Sequence, residues 1–339
     1  MASAGVEILI PSSEMAVVGL IEVLPRLSRI RGALGRIKRL LTHSPPDLLI
    51  LLDYPDFNLH VARTAKRAGV PVLYYISPQV WAWRRGRTRK IARRVDHIAV
   101  ILPFEEEIYR KAGMPVTYVG HPLLDEVSSG TERREARRRL EWKEGERIAG
   151  ILPGSRNEEV ENLLPVMLRA AEILQNVWPN LRFVLPVAPT VAPGRIETRV
   201  HDASVKVDLW REDMHRILPA CDLALVASGT ATLETAVHGV PMVIAYKVAP
   251  LSFRIGKAVI RVPFIGLVNL VAGKKVVPEL IQDEVTPARL AREAARLLAP
   301  GPDRKNMIQE LGRVKTLLGT GGASERTAAI ALRMLGRSI

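Results

Sequence analysis

Short apolar runs of strand character recur along this chain with helical stretches between them, and that alternation leaves few folds open. "DLLILLD" (47–53), "VPVLYYI" (70–76), "DHIAVIL" (96–102) and "MPVTYVG" (114–120) form a first series. "RIAGILPG" (147–154), "LRFVLPVA" (181–188), "SVKVDL" (204–209), "CDLALVAS" (221–228) and "PMVIAYK" (241–247) form a second. Runs this continuously apolar fit strands covered on both faces, with helices supplying the crossovers of a parallel sheet. The polar stretch "DEVSSGTERREARRRLEWKEGE" separates the two series and sets a boundary near 122–145. The pattern predicts an α/β chain of two Rossmann-like doubly wound domains, residues 1–130 and 131–320. A helical end follows, of which 321–339 is expected to pack back on the first domain. Ligands of such sheets bind outside the carboxyl ends of the strands, so two facing lobes would hold the site in their cleft.

The 339 residues carry 49 Lys+Arg against 35 Asp+Glu, a net charge of +14. That balance favours anionic partners: phosphates, nucleic acid or an acidic lipid surface. Aromatic residues make up only 5%, which is lean for a protein that stacks bases, so nucleic acid is the weakest of the three. The single cysteine, Cys221, can form no internal disulfide and reads as a buried small residue in a strand, which fits a reducing compartment. No DxD pair, HExxH or Cys/His cluster is present, so no metal or other cofactor is expected. The longest apolar run, "AVIRVPFIGLVNLVAG", is broken by Arg261 and Pro263 and is too short to span a bilayer. Nor does the chain open with a charged-then-apolar leader, so a soluble or peripheral protein is expected.

Four stretches carry candidate chemistry. In "LPGSRNEEVE" a strand ends at Leu152, and Gly154, Ser155 and Arg156 turn into a helix. Free N–H groups at a helix start, with an arginine, suit a diphosphate; an ordinary βα turn is the plain alternative. In "VASGTATLETAVHG", Ser228, Gly229 and Thr230 open another helix, and Glu234 lies one turn in. A carboxylate there can accept from ribose hydroxyls. Both turns should project from the same sheet edge, which favours a nucleotide diphosphate. In "LDYPDFNLH", Asp53 ends a strand and should face the cleft as a general base, while Asp56 or Asn58 would cap the next helix. In "VVGLIEVLPRLSRIRGALGRIKRLL" (17–41), Leu20, Val23, Leu24, Leu27, Ile30, Leu34, Ile37 and Leu41 recur at helical spacing among arginines and lysines. A basic amphipathic helix can lie in an anionic membrane interface, or pack on a core with a solvated basic face.

"SPQVWAWRRGRTRKIARR" (77–94) adds Trp81 and Trp83, two apart, ahead of Arg84, Arg85 and Arg87. Gly86 allows a bend, and Ile91 and Val95 should face inward from the helix that follows. Aromatics beside arginines can mean nucleic acid, a membrane surface or an anionic ligand; interlobe core for the tryptophans and a solvated helix face for the arginines are the alternative. His121, in "VGHPLLD", is a lone histidine beside a proline turn, structural by itself.

From Leu51 to Asp125 the chain closely resembles the central segment of lipid-A-disaccharide synthases, with "SPQVWAWR" and "GHPLLD" as its most specific motifs. "LPGSRNEEVE", "ASGTATLETAVHGVPMVIAYKVAPLSF" and "VPFIGLVNLVAGKKVVPELIQ" resemble that family's later blocks in the same order. The resemblance implies a two-lobed GT-B glycosyltransferase of lipopolysaccharide biosynthesis. It implies inverting transfer from UDP-2,3-diacylglucosamine to 2,3-diacylglucosamine 1-phosphate, forming the β-1,6 disaccharide precursor of lipid A and UDP. By that resemblance Asp53 matches the proposed general base. Arg156, Ser228, Gly229, Thr230, Glu234 and Asn269 fall in blocks lining the UDP-sugar site. Trp81, Trp83, Arg84 and His121 fall on the acceptor side, and the stretch from Ile21 to Leu27 matches a membrane-contacting patch. The cytoplasmic face of the inner membrane is the implied location, and a homodimer is left open as a partner.

Family members begin with a strand, a "GEASGD"-like turn and a second strand ending in a "GGPxM"-like turn, which this sequence does not carry. The first domain is therefore expected to be short by about one βαβ unit, ~30 residues or more. Two other functions stay open: another UDP-sugar transferase or epimerase of the same fold, and a non-catalytic chain that binds UDP-sugar or membrane.

Overall fold

The computed structural model describes residues 4–11, 20–81, 86–127, 133–139, 142, 145–192, 194–260 and 262–337, with side chains for all of these except 20–27, 139, 255 and 259. Among the described residues the first α-helix of the first lobe is α1 (Leu20–His43). Then come β1 (Leu49–Leu52), α2 (Pro55–Arg67), β2 (Val72–Tyr75), α3 (Arg87–Ala92), β3 (His97–Val100), α4 (Pro103–Lys111) and β4 (Val116–Tyr118). The four strands form one parallel sheet in the order β1-β2-β3-β4. All four residues of β2 are buried, as the covered position of a central parallel strand requires. At the sheet edge, β1 alternates: Leu51 is buried, while Ile50 and Leu52 are 47% and 44% exposed. On one face lies a core of Leu41, Leu59, Val61, Ala62, Ala65, Tyr74, Ile91, Val95 and Ile98, with Leu34 and Ile37 packed against it. The far half of α1 is thus held by its apolar stripe; α3 turns Ile91 inward as its spacing predicted, while Val95 is buried just beyond the helix end and not on the helix.

Two short helices, α5 (Leu123–Val127) and α6 (Arg133–Arg139), lead into the second lobe. That lobe runs β5 (Arg147–Leu152), α7 (Asn157–Val177), β6 (Leu181–Pro186), α8 (Arg195–His201), β7 (Val207–Trp210), β8 (Leu223–Ala227), α9 (Ala231–Val237) and β9 (Met242–Tyr246). It continues through α10 (Pro250–Val259), α11 (Leu267–Ala272), β10 (Glu279–Ile281), α12 (Pro287–Leu298), α13 (Pro302–Leu317) and α14 (Ala323–Met334). Six parallel strands lie in the order β10-β9-β8-β5-β6-β7. The chain builds outward from β5 in one direction, then returns and builds outward from β8 in the other. The strand order therefore reverses between β5 and β8, which is where ligand clefts of open α/β sheets form. Helix α7 covers one face through Val160, Leu163, Leu164, Met167, Ala171 and Leu174, all buried and recurring at the i, i+3, i+4, i+7 spacing of one helical face.

Two features join the lobes. Trp81, Leu102, Leu123, Leu124 and Val127 share one core with the second lobe. The chain end also crosses back: α14 seats Ile330 and Ala331 against Leu73, Tyr75, Ala99 and Val119 of the first sheet. Gly120, at φ 82°, lies under this crossing, and a Cβ there would stand 2.8 Å from the Arg326 guanidinium. Among the described residues no helix is long and apolar enough to cross a membrane.

Candidate active site

A cleft of about 930 Å³ opens at the strand reversal, bounded by the turn after β5, the turn after β8 and the loop after β6. Leu152 pairs with Val226 across the two central strands, so the two glycine turns emerge side by side. Gly154, Ser155, Arg156, Ser228, Gly229, Thr230 and Glu234 all line this one cavity. Gly154 sits at φ 115°, and a Cβ on it would run into the Glu159 side chain.

An anion already occupies the first turn. The Ser155 and Arg156 N–H groups donate to Glu159 Oε2 at 3.1 and 3.3 Å, and the Arg156 guanidinium donates to Oε1 at 2.8 Å. Glu159 is the third residue of α7, where a carboxylate satisfies helix-start donors. These donors converge where they could hold a phosphate oxygen. Thr190 Oγ1 donates to Ser155 O at 2.6 Å and Ala192 N to Asn157 Oδ1 at 3.0 Å, tying the β6 loop to this turn.

The second turn offers a different chemistry. Ser228 N donates to Ala245 O and its Oγ to Ile265 O, both at 3.1 Å, so its donors brace the turn. Glu234 Oε2 is buried without a hydrogen-bond partner. Burial, and then the charges of Glu126 and Asp213, raise its pKa to about 7. An unpaired carboxylate oxygen facing a cleft is an acceptor ready for hydroxyl donors. Beside it His215 Nδ1 lies 3.2 Å from His238 Nε2, and His215 Nε2 lies 3.5 Å from Glu126 of α5. Burial, then His215, lowers the His238 pKa to about 4, so that ring is neutral.

Asp53 stands apart from this lining, exposed at the carboxyl end of β1. Asp53 and Tyr54 both have φ 41°, and Ile76 at the end of β2 has φ 58°. Three non-glycine residues in the left-handed region at neighbouring strand ends mark a strained, over-determined segment of the kind found at functional sites. The expected cap on α2 is not formed: its N-cap is Tyr54, with no side-chain cap bond. Asn58 instead turns back to the carbonyls of Leu52 and Asp53, and Asp56 pairs with Arg87.

Other sequence candidates are buried. Trp81 is 9% exposed, donates its indole N–H to Glu105, and meets Phe104 edge-on at 5.2 Å. His121 accepts from Leu123 N through Nδ1 at 3.2 Å, and burial lowers its pKa to about 4. Asn269 is fully buried; its amide joins Val276 N, Val277 N, Val277 O and Glu279 and does not reach the cleft. Trp83 and Arg84 lie outside the described residues, as do the side chains of Leu20, Ile21, Val23, Leu24 and Leu27. Glu159 was missed in the sequence, where the Ser-x-x-Glu pattern falls on Ser155 and Glu158 rather than on Arg156 and Glu159; His215, His238 and Glu126 carried no local signal. Among the described residues no group of three or more His, Cys, Asp and Glu could hold a metal ion.

The architecture has solved counterparts. A UDP co-structure of MnaA from S. aureus superposes with a TM-score of 0.65 at 12% identity, covering 95% of this chain and 83% of that one. UDP-GlcNAc 2-epimerase from Neisseria meningitidis gives 0.61 at 12%, covering 94% and 84%. MurG from Acinetobacter baumannii gives 0.57 at 15%, covering 91% and 79%. These likenesses show the two-lobed GT-B fold. Sequence similarity goes further. Lipid-A-disaccharide synthase of Geobacter metallireducens is 50% identical over 337 residues, which is 99% of this chain and 88% of that protein. Its counterpart in Geobacter sulfurreducens is 47% identical over 100% of this chain and 88% of its own length, and that of Coxiella burnetii 42% over 97% and 87%. With the family model for lipid-A-disaccharide synthetase matching residues 1–332, the chain belongs to the lipid-A-disaccharide synthase family.

Proposed function

We propose that the chain joins UDP-2,3-diacylglucosamine to 2,3-diacylglucosamine 1-phosphate, forming the β-1,6-linked disaccharide and UDP with inversion. The observation that carries this reading is the convergence of Gly154, Ser155, Arg156, Gly229, Thr230 and Glu234 on one cleft at the strand reversal. The β5 turn would hold the diphosphate and Glu234 the ribose hydroxyls. The Asp53 carboxylate would take the proton from the acceptor's primary hydroxyl. That oxygen bonds to the anomeric carbon as the carbon–oxygen bond to UDP breaks, and the electron pair leaves on the diphosphate. Arg156 and the N–H groups of the β5 turn would steady that charge.

Exposed Arg29, Arg31, Arg36 and Arg39 on α1 support an acceptor side that faces an anionic bilayer. On α10, exposed Arg254 and Lys257 accompany Leu251 at 70% exposure, with Ile260 just beyond at 43%. Salt-sensitive sedimentation with anionic vesicles, and none with neutral ones, is the expected behaviour; equal binding to both removes this part.

The chemistry is tested by supplying both lipid substrates in detergent micelles and following disaccharide and UDP together. Asp53→Ala should lose turnover and keep UDP binding. Absence of disaccharide with the unaltered chain, or full turnover by Asp53→Ala, overturns the reading.

A further inference from the structure

The strain at Asp53 has to be held in place, and the structure contains the groups that hold it. The Asp53 carbonyl accepts two side-chain hydrogen bonds, from Tyr74 Oη at 2.6 Å and from Asn58 Nδ2 at 2.7 Å. The same Asn58 amide also reaches Leu52 O at 2.8 Å, so one side chain clamps two consecutive carbonyls. Asp53 N donates to Tyr75 O at 3.3 Å, and Asn58 N to Tyr54 O at 3.0 Å. The ring of Tyr54 stacks on Phe57 at 5.6 Å. A strained turn persists only where its surroundings over-determine it, and here the two side-chain bonds land on the residue whose carboxylate is exposed.

The donors come from different elements. Tyr74 is fully buried in β2, and burial holds its hydroxyl well above the usual tyrosine range, so it remains a donor. Asn58 lies in the first turn of α2, where the expected role was a helix cap. Neither side chain lines the nucleotide cleft.

We infer that Asn58 and Tyr74 are positioning residues for Asp53, fixing the left-handed turn that presents its carboxylate to the acceptor hydroxyl. This rests on Asp53 being the general base. Losing either bond lets the turn relax toward ordinary backbone angles and moves the carboxylate off line. A displaced base slows the chemical step and leaves ground-state binding unchanged.

The experiment uses the full chain and both lipid substrates, with Tyr74→Phe, Asn58→Ala and Asp53→Asn singly and combined. Tyr74→Phe keeps the buried ring and removes one oxygen; Asn58→Ala changes a site near the surface, so one variant remains informative if the other fails to fold. Each single change should lower kcat roughly tenfold, with KM for both substrates within about twofold. Added to Asp53→Asn, each should lower the residual rate no further. A kcat within about twofold of wild type for both variants overturns the inference, as does a full tenfold loss persisting in the Asp53→Asn background. Failure of the underlying base reading shows separately, as a wild-type rate in Asp53→Asn alone, and takes the inference with it.

Discussion

The indole N–H of Trp81 donates to Glu105 Oε1 at 3.0 Å, in a pocket where Ser77 Oγ donates to the same oxygen at 3.1 Å and Leu102 N to Oε2 at 3.2 Å. Glu105 thus ties the loop that follows β2 to the start of α4. Tyr109 helps by donating to Pro78 O at 3.0 Å. An aromatic beside arginines had suggested a ligand platform; the indole is instead a seam residue fastened to a buried acid.

Burial raises the Glu105 pKa to about 7 against the donors that lower it. Its folded value therefore lies above its unfolded one. The associated stability is complete below the ordinary glutamate range and is lost as pH rises through about 7. The difference amounts to about 3 kcal/mol. Urea unfolding at pH 5 and pH 8 should show this decline in the wild type and a shallower one in Glu105→Gln. Equal declines in the two proteins would rule out a buried neutral acid here.

Glu159 competes with any diphosphate for the donors of the β5 turn. Removing it frees the Ser155 and Arg156 N–H groups and the Arg156 guanidinium. With the diphosphate seated at this turn as proposed, Glu159→Ala should bind UDP about three- to tenfold more tightly, with uridine unchanged. Its melting temperature should fall slightly through the lost helix-start bonds. Calorimetric titration with both ligands checks it; equal or weaker UDP binding shows that the carboxylate does not occupy the phosphate seat.

Glu234 carries the second half of the cleft. Its pKa of about 7 follows from burial first and from Glu126 and Asp213 second, so it holds its proton on the acid side of neutrality. A charged carboxylate is the stronger acceptor for ribose hydroxyls. UDP affinity should rise as pH passes upward through 7, and Glu234→Gln should flatten that rise and bind about tenfold more weakly at pH 8. With 2′,3′-dideoxy-UDP the substitution should cost nothing. An equal loss with both ligands would separate Glu234 from the ribose.

What the sequence disclosed and what it concealed divide along contact range. Strands β5 to β9 of the second lobe and the turns at Gly154 and Gly229 are local patterns, and each was visible in a few consecutive residues. Strand β10 was missed because Glu279–Ile281 is too short to show a period. The run from Ser204 to Leu209 was expected as strand, but pairing with β6 sets the limits at Val207–Trp210. Asp53 could be proposed from its place at a strand end. Its clamp could not, since Tyr74 is 21 residues away and only the β1–β2 pairing brings it alongside. Glu105 was hidden for the same reason, 24 residues from Trp81. The helix at Asn58 drew a capping expectation because Asx residues near a helix start usually cap. The left-handed turn at Tyr54 redirects that amide to two carbonyls.

The chain end makes a final prediction about how the lobes are held. Arg326 of α14 donates to Val119 O at 2.8 Å, Gly321 O at 2.8 Å and Thr320 O at 2.7 Å. Tyr118 Oη donates to Leu317 O at 2.8 Å, and His121 N to Leu318 O at 3.0 Å. Asp125 accepts from Gly322 N close by. One guanidinium thus joins the last strand of the first sheet to the crossing segment from the second lobe. Arg326→Ala strands those carbonyls and should destabilise the protein by about 2–4 kcal/mol. The nucleotide cleft is lined by the second lobe and by Glu126, so UDP affinity should stay within about twofold. With Asp53 as the proposed base, turnover needs its lobe and the UDP lobe in fixed relation, so kcat should fall while UDP binding holds. Thermal melts, UDP titration and turnover on one preparation check all three. A variant with unchanged melting and turnover would show that α14 does not set the relation between the lobes.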